Sequence, residues 1–187
     1  MSGALACEIG AKLAPESRGS RYKNCYESQK GDAMPIEIIE TQDDTLLCGF
    51  FHKHWLDMGV TEAEIAEDWR EQALAFIATA RRERRFAAFV ALLNGEPIGG
   101  ASCQLMDRVY PAFRKSDPRK IGYVWGVYVS ADHRGGGLGA NLVGTCVDHL
   151  RAMGCQRVVL HAGEKATPLY RRLGFERTSE HALNFKP

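Results

Sequence analysis

The chemistry legible in this chain is concentrated in one run, Val127-Tyr128-Val129-Ser130-Ala131-Asp132-His133-Arg134-Gly135-Gly136-Gly137-Leu138-Gly139, in which a strand-like stretch leads to an arginine and then four glycines in five positions. Glycine removes the side chain that would hold a ligand away from the backbone. The first amides of a helix have no internal acceptor, and the helix dipole adds positive potential at that end. Arg134 contributes a full charge and a two-pronged donor. These features describe a phosphate cradle at a strand-to-helix turn. The run does not fit G-x-x-x-x-G-K-[ST], and Leu142 stands where the last glycine of G-x-G-x-x-G would fall, so kinase-like and dinucleotide readings both drop out.

The other reactive side chains form no such constellation. Cys7, Cys25, Cys48, Cys103, Cys146 and Cys155 show no C-x-x-C spacing and no histidines at zinc-ligand intervals, so we expect reduced thiols in a cytoplasmic protein, Cys146 in the core, and no metal. With 24 basic and 23 acidic residues, the formal net charge of +1 gives no global attraction for nucleic acid or an anionic membrane. No apolar run approaches the roughly 18 residues of a membrane-spanning helix. Glu8 and Lys12 interrupt the early apolar stretch, which argues against a secretory signal.

The elements that must position the cradle follow from periodicity. In a chain of 187 residues, 45% hydrophobic, we expect one domain over 34–187, preceded by a poorly ordered extension over 1–33 that lacks clear periodicity. A strand over 36–40 precedes a helix marked by Leu46, Leu47, Phe50, Phe51, Trp55 and Met58, ended by Gly59. Thr61 and Glu64 fit a capping box, and Ile65, Trp69, Ala73, Phe76, Ile77 and Ala80 mark one face of a longer helix behind it. The basic cluster 81–85 falls at that helix's C-terminus, where cations meet exposed carbonyls.

Strands over 86–93 and 98–106 flank Asn94-Gly95, a pair suited to a tight hairpin. A third strand over 121–129 contains Gly126, the mark of a bulge or a close approach. Then come a helix carrying Leu138, Leu142, Val143, Cys146, Val147, Leu150 and Met153, a short strand over 158–160, a helix over 167–173, and one or two strands within 175–185. An antiparallel hairpin beside a strand-helix-strand crossover makes a mixed sheet flanked by helices, an α/β domain.

Arg134-x-x-Gly137-x-Gly139 after Val127-Tyr128-Val129 resembles the acetyl-CoA pyrophosphate loop of the GNAT superfamily, Q/R-x-x-G-x-G/A. Downstream, Ala166-Thr167-Pro168-Leu169-Tyr170-Arg171-Arg172-Leu173-Gly174-Phe175 resembles the same family's A-x-x-L-Y-x-x-x-G-F segment. The resemblance spans roughly residues 36–185 and implies a single-domain GNAT-like fold whose strands splay at a cofactor cleft. It implies that Val127, Tyr128 and Val129 line the pantetheine arm, and that Arg134, Gly135, Gly136, Gly137, Leu138, Gly139 and Ala140 hold the pyrophosphate of acetyl-CoA. It departs from the family pattern at Gly163, where many members carry asparagine, and over 122–129, where many carry a glutamate base and this chain has no carboxylate.

What the resemblance implies chemically is acetyl transfer from acetyl-CoA to a primary amine of a small molecule, by direct attack on the thioester. Two other readings share the motifs: a protein or peptide N-acetyltransferase, and a non-catalytic acyl-CoA-binding module. Transfer needs a neutral amine, an oxyanion donor, expected from backbone near Val127, and a proton for the departing thiolate. Tyr170 matches the family's tyrosine, which gives that proton. For the base, His161 at the end of the short strand has suitable chemistry; Glu164, Asp107 and a water chain stay open, and His133 reads as a turn residue. The two early helices and the loop 107–119, with Tyr110 and Phe113, are expected at the acceptor entrance, in a monomer or homodimer.

Overall fold

A computed structural model describes residues 35–107 and 111–178. The expected extension over 1–33 and Tyr110 lie outside the described residues. The chain runs β1 (Glu37–Glu40), α1 (Asp44–Asp57), α2 (Trp69–Arg84), β2 (Ala87–Leu93), β3 (Glu96–Met106), β4 (Ile121–Val129), α3 (Leu138–Ala152), β5 (Arg157–Val159) and α4 (Thr167–Arg172). The five strands lie in sequence order in one sheet. The β1–β2, β2–β3 and β3–β4 pairs are antiparallel, and β4–β5 is parallel. This is the mixed sheet that a hairpin followed by a crossover requires.

Each face of the sheet has its own apolar layer. On one, Leu138, Leu142, Val143, Cys146 and Leu150 of α3 pack against Phe89, Ala101, Cys103 and Val124. On the other, Leu47, Cys48 and Phe50 of α1 and Ile77 and Ala80 of α2 cover Ala88 and Val90. Each fully buried Leu, Ile or Phe contributes about 1.5–3 kcal/mol. Asp43 caps α1 by accepting from the Leu46 amide at 2.9 Å. Arg81 ties α2 to α1 through Asp44 at 2.5 Å, so the basic cluster's first member serves packing. The hairpin turn forms as expected, with Asn94 and Gly95 at φ +54° and +82°.

One expectation needs correction. Glu64 does reach back to Thr61, accepting from its amide at 2.9 Å and its hydroxyl at 2.7 Å. The turn so capped, Glu62–Glu64, is only one 3-10 turn: Ile65 leaves helical geometry at ψ 130°, and α2 starts at Trp69 instead of Ile65. Asp68, a residue type that favours helix starts over interiors, stands at the new N-terminus. Of the stretch 175–185, where one or two strands are expected, 175–178 carries none and the rest lies outside the described residues. Among the described residues, no helix is long and apolar enough to cross a membrane.

Candidate active site

The glycine run forms a sharp turn from β4 into α3. Gly135 and Gly137 adopt φ +84° and +88°, which bends the chain sharply from β4 into α3. The amides of residues 135–139 donate to no acceptor among the described residues, whereas the Ala140 amide already bonds the Gly137 carbonyl at 2.9 Å. The donors available to a phosphate are thus those of residues 135–139. Leu138 anchors the turn from below, its side chain buried in the core against the sheet.

Arg134 is turned towards α1. Its Nε donates to the Val129 carbonyl at 2.7 Å, its guanidinium pairs with Asp57, and it lies 5.8 Å from the centre of the Tyr128 ring. The fork expected on a phosphate is held here by a carboxylate and a main-chain carbonyl, at the edge of the cradle.

Between strands, the sheet opens as expected. The β4–β5 ladder pairs Ile121 with Arg157, Gly122 with Val158 and Tyr123 with Val159, and goes no further. Beyond Tyr123 the β4 edge facing β5 has no strand beside it among the described residues. Gly126, at φ +61°, produces the bulge: Gly100 faces Tyr128 and Ser102 faces Trp125, so β4 carries the extra residue. A Cβ on Gly126 would come 2.4 Å from the Phe51 ring. Val127 and Val129 pack on the α3 side, while Tyr128 stacks on Phe50 with ring centres 5.3 Å apart.

At the parting point, Tyr123 Oη and His161 Nδ1 are 2.6 Å apart. Tyr170, at the start of the chain's return past this point, is largely buried; burial and then the neighbouring Tyr123 push its hydroxyl pKa above the ordinary tyrosine value. His161 thus meets Tyr123, a residue that motif reading missed, and lines one cavity together with Tyr170. The signal for Tyr123 lay in register: only its pairing with Val159 shows that it faces the strand end carrying His161. Glu164 and Asp107 are exposed, and His133 closes the turn Ala131–His133. A cavity of about 970 Å³ opens along β5 and α4; His161 and Tyr170 line it, and the glycine loop does not.

Known proteins carry the same organisation. Glucosamine 6-phosphate N-acetyltransferase from Trypanosoma brucei brucei is 34% identical over 104 residues, covering 54% of this chain and 67% of that protein. A GCN5-related N-acetyltransferase from Ralstonia eutropha JMP134 superposes with a TM-score of 0.70 at 23% identity, covering 81% of this chain and 99% of the other. A predicted acetyltransferase from Clostridium acetobutylicum, solved with acetyl-CoA, gives 0.69 at 20% identity over 80% of this chain and 96% of its own. The Acetyltransferase (GNAT) family pattern matches residues 45–175, which contain the cradle, the parted strands and α4. The chain belongs to the acetyltransferase (GNAT) family, the acetyl-CoA-dependent N-acetyltransferases.

Proposed function

We propose that this protein transfers the acetyl group of acetyl-CoA to a primary amine of a small molecule, by direct attack of the amine on the thioester. The observation that carries the reading is the Tyr123–His161 hydrogen bond of 2.6 Å, next to Tyr170, at the point where β4 and β5 part. The unbonded amides of residues 135–139 suit a pyrophosphate, and the unpaired β4 edge suits an amide-bearing arm, so the residues present fit acetyl-CoA. Bound there, it supplies an activated acyl thioester.

The chain's own residues do the rest. The loop amides of Gly135, Gly136, Gly137, Leu138 and Gly139 hold the phosphates, with Arg134 at the rim and Ala140 in a packing role. The open backbone around Val127, Tyr128 and Val129 aligns the arm. In the tautomer in which His161 Nδ1–H donates to the Tyr123 oxygen, Nε2 carries the lone pair and takes the amine proton. Tyr170, kept protonated by its burial, donates to the departing sulfur. Alignment of amine and thioester supplies the larger part of the acceleration, on the order of 7–11 kcal/mol in favourable cases.

A small-molecule acceptor is supported by the T. brucei relative, whose name states a sugar phosphate amine as its substrate. The four described cysteines, all unbridged, support a cytoplasmic setting. The test is a panel of free amines and peptides incubated with acetyl-CoA and assayed for released thiol. Turnover on a free amine supports the proposal. Turnover on peptides alone would move the acceptor to protein, and tight CoA binding without turnover would leave a sensing module.

A further inference from the structure

Among the described residues two arginines are partly buried, Arg81 and Arg84, both in the last turn of α2. Arg81 is held there by the Asp44 carboxylate at 2.5 Å and the Thr41 carbonyl at 3.3 Å. Arg84 has no such anchor. Its guanidinium lies 6.0 Å from the centre of the Phe76 ring, and among the described residues it has no hydrogen-bond or ion-pair partner. Asp107, the residue after β3, is exposed and likewise has none. The two opposite charges nevertheless line one cleft of about 210 Å³, together with Gln104, Leu105 and Met106.

A partly buried charge without a counter-ion has given up hydration for no partner. A guanidinium and a carboxylate that share a small cleft without closing on each other are complementary to a ligand that carries both signs. The Arg84 fork suits a carboxylate, which it can hold through two parallel N–H donors, and Asp107 accepts from an ammonium. An alkyl diamine would leave Arg84 unmet. A phosphate dianion would face one guanidinium and be repelled by Asp107, and a neutral sugar would answer neither charge. The head group of an amino acid, with one carboxylate and one ammonium, answers both.

We propose that this cleft anchors the acetyl acceptor by the head group of an amino acid that bears a second, distal amine, its carboxylate on Arg84 and its α-ammonium on Asp107. The inference rests on the proposed amine acetylation. Gln104 of the cleft pairs with Tyr123 across β3 and β4, and Tyr123 Oη is 2.6 Å from His161 Nδ1. Paired positions share a face of the sheet, and neighbouring strands lie about 4.8 Å apart. A chain of a few methylenes therefore reaches from the head group past Tyr123 to His161. The distal nitrogen forms the new C–N bond as the thioester C–S bond breaks; its proton passes to His161, and the sulfur receives that of Tyr170.

Ornithine and lysine are compared with putrescine and cadaverine, which lack only the carboxylate, with ε-aminocaproate, which lacks only the α-amine of lysine, and with glucosamine 6-phosphate, which brings a dianion. Acetyl transfer is measured for each and, independently of turnover, binding by calorimetry on CoA-saturated protein. The better of the two diamino acids should show a kcat/KM at least about ten-fold above that of its diamine and of glucosamine 6-phosphate. Arg84→Ala should raise its KM about ten-fold and leave that of the diamine within about two-fold. Asp107→Asn should raise the diamino-acid KM and leave that of ε-aminocaproate within about two-fold. In both variants the acetyl-CoA KM should stay within about two-fold. Asp107→Asn keeps the side chain's shape at an exposed position, so the test survives should Arg84→Ala fail to fold. Equal kcat/KM for the diamino acids and their diamines in the wild type, or an unchanged diamino-acid KM in folded variants, overturns the site. Ornithine or lysine binding that depends on Arg84 without acetylation of any amine upholds the site and refutes the transferase reading. Acetylation of other amines with no diamino-acid binding does the reverse.

Discussion

Asp57, the last residue of α1, forms an ion pair with Arg134 at the mouth of the glycine loop, and the same guanidinium donates to the Val129 carbonyl at 2.7 Å. The pair links α1 to the loop proposed for the cofactor. Their side chains are 46% and 42% exposed, so the bond adds little stability, about 0–1 kcal/mol, and can be exchanged. If a phosphate competes with Asp57 for Arg134, Arg134→Ala will weaken CoA more than it weakens pantetheine, which lacks the pyrophosphate. Asp57→Asn will tighten CoA by up to about five-fold, the equivalent of about 1 kcal/mol. Titration calorimetry with both ligands decides; equal losses for CoA and pantetheine in Arg134→Ala would remove Arg134 from the phosphate site.

Tyr170→Phe deletes only the hydroxyl and leaves the aromatic packing against Phe175, whose ring centre is 5.9 Å away. We expect kcat and kcat/KM to fall together by about 10²-fold or more, with acetyl-CoA affinity nearly unchanged. Single-turnover measurement is required so that slow product release does not hide the loss. A wild-type rate under that condition would make Tyr170 a packing residue.

His161→Gln should lower kcat by about 10²-fold or more and preserve CoA affinity. Tyr123→Phe takes away the oxygen that orients Nδ1. It is expected to lower kcat less than His161→Gln, with CoA affinity again unchanged. A wild-type kcat in both variants would assign the base elsewhere.

The glycines separate folding from binding. Gly126 holds φ +61° with the Phe51 ring 2.4 Å from where a Cβ would sit, so Gly126→Ala should cost about 1–3 kcal/mol in denaturant unfolding. At Gly139 a Cβ would meet Leu169 at an ordinary 3.5 Å. Gly139→Ala should therefore fold normally, with a gain of about 0.5–1 kcal/mol from helix propensity, and keep CoA affinity. Gly139→Val folds too but should weaken CoA, because its branched side chain crowds the cradle. The same substitution at Gly137 would confound the two effects, since φ +88° strains any side chain there.

His54, one turn before Asp57, has its pKa lowered, first by burial, against a raising effect of Asp57 and a lowering one of Arg134. A depressed folded-state pKa means that the unfolded chain takes up the proton first as pH falls. The contribution is intact above the unfolded value near 6.5 and is lost as pH falls through the lower folded value. Melting temperature should decline on acidification below about pH 6.5, and His54→Gln should flatten that decline. Parallel curves for the two proteins would show that His54 is not responsible.

Gly126, Asn94 and Gly95, and the α3 stripe from Leu138 to Leu150 were all legible because they depend on short-range rules: which residues tolerate positive φ, and which repeat with helical period. The same rules failed at Ile65, whose place in an apolar helical stripe did not reveal that the chain leaves the helix there before starting again at Trp69. Periodicity reports a buried face without reporting whether the backbone between its members is continuous.

What the sequence by itself determined, then, was the glycine turn into α3 and the order of elements, since a strand, an arginine and a glycine-rich helix start are contiguous and their shape is set by local backbone geometry. Tertiary structure alone decided which side chains meet across chain separations. It paired Tyr123 with His161, placed Asp57 on Arg134, and aligned Ser102 and Gln104 beside Trp125. Each of these depends on strand register or on the seating of one helix over a sheet. A shift of one residue in a strand would turn every one of its side chains to the opposite face, and no local pattern in the chain fixes that choice; the packing of the whole domain does.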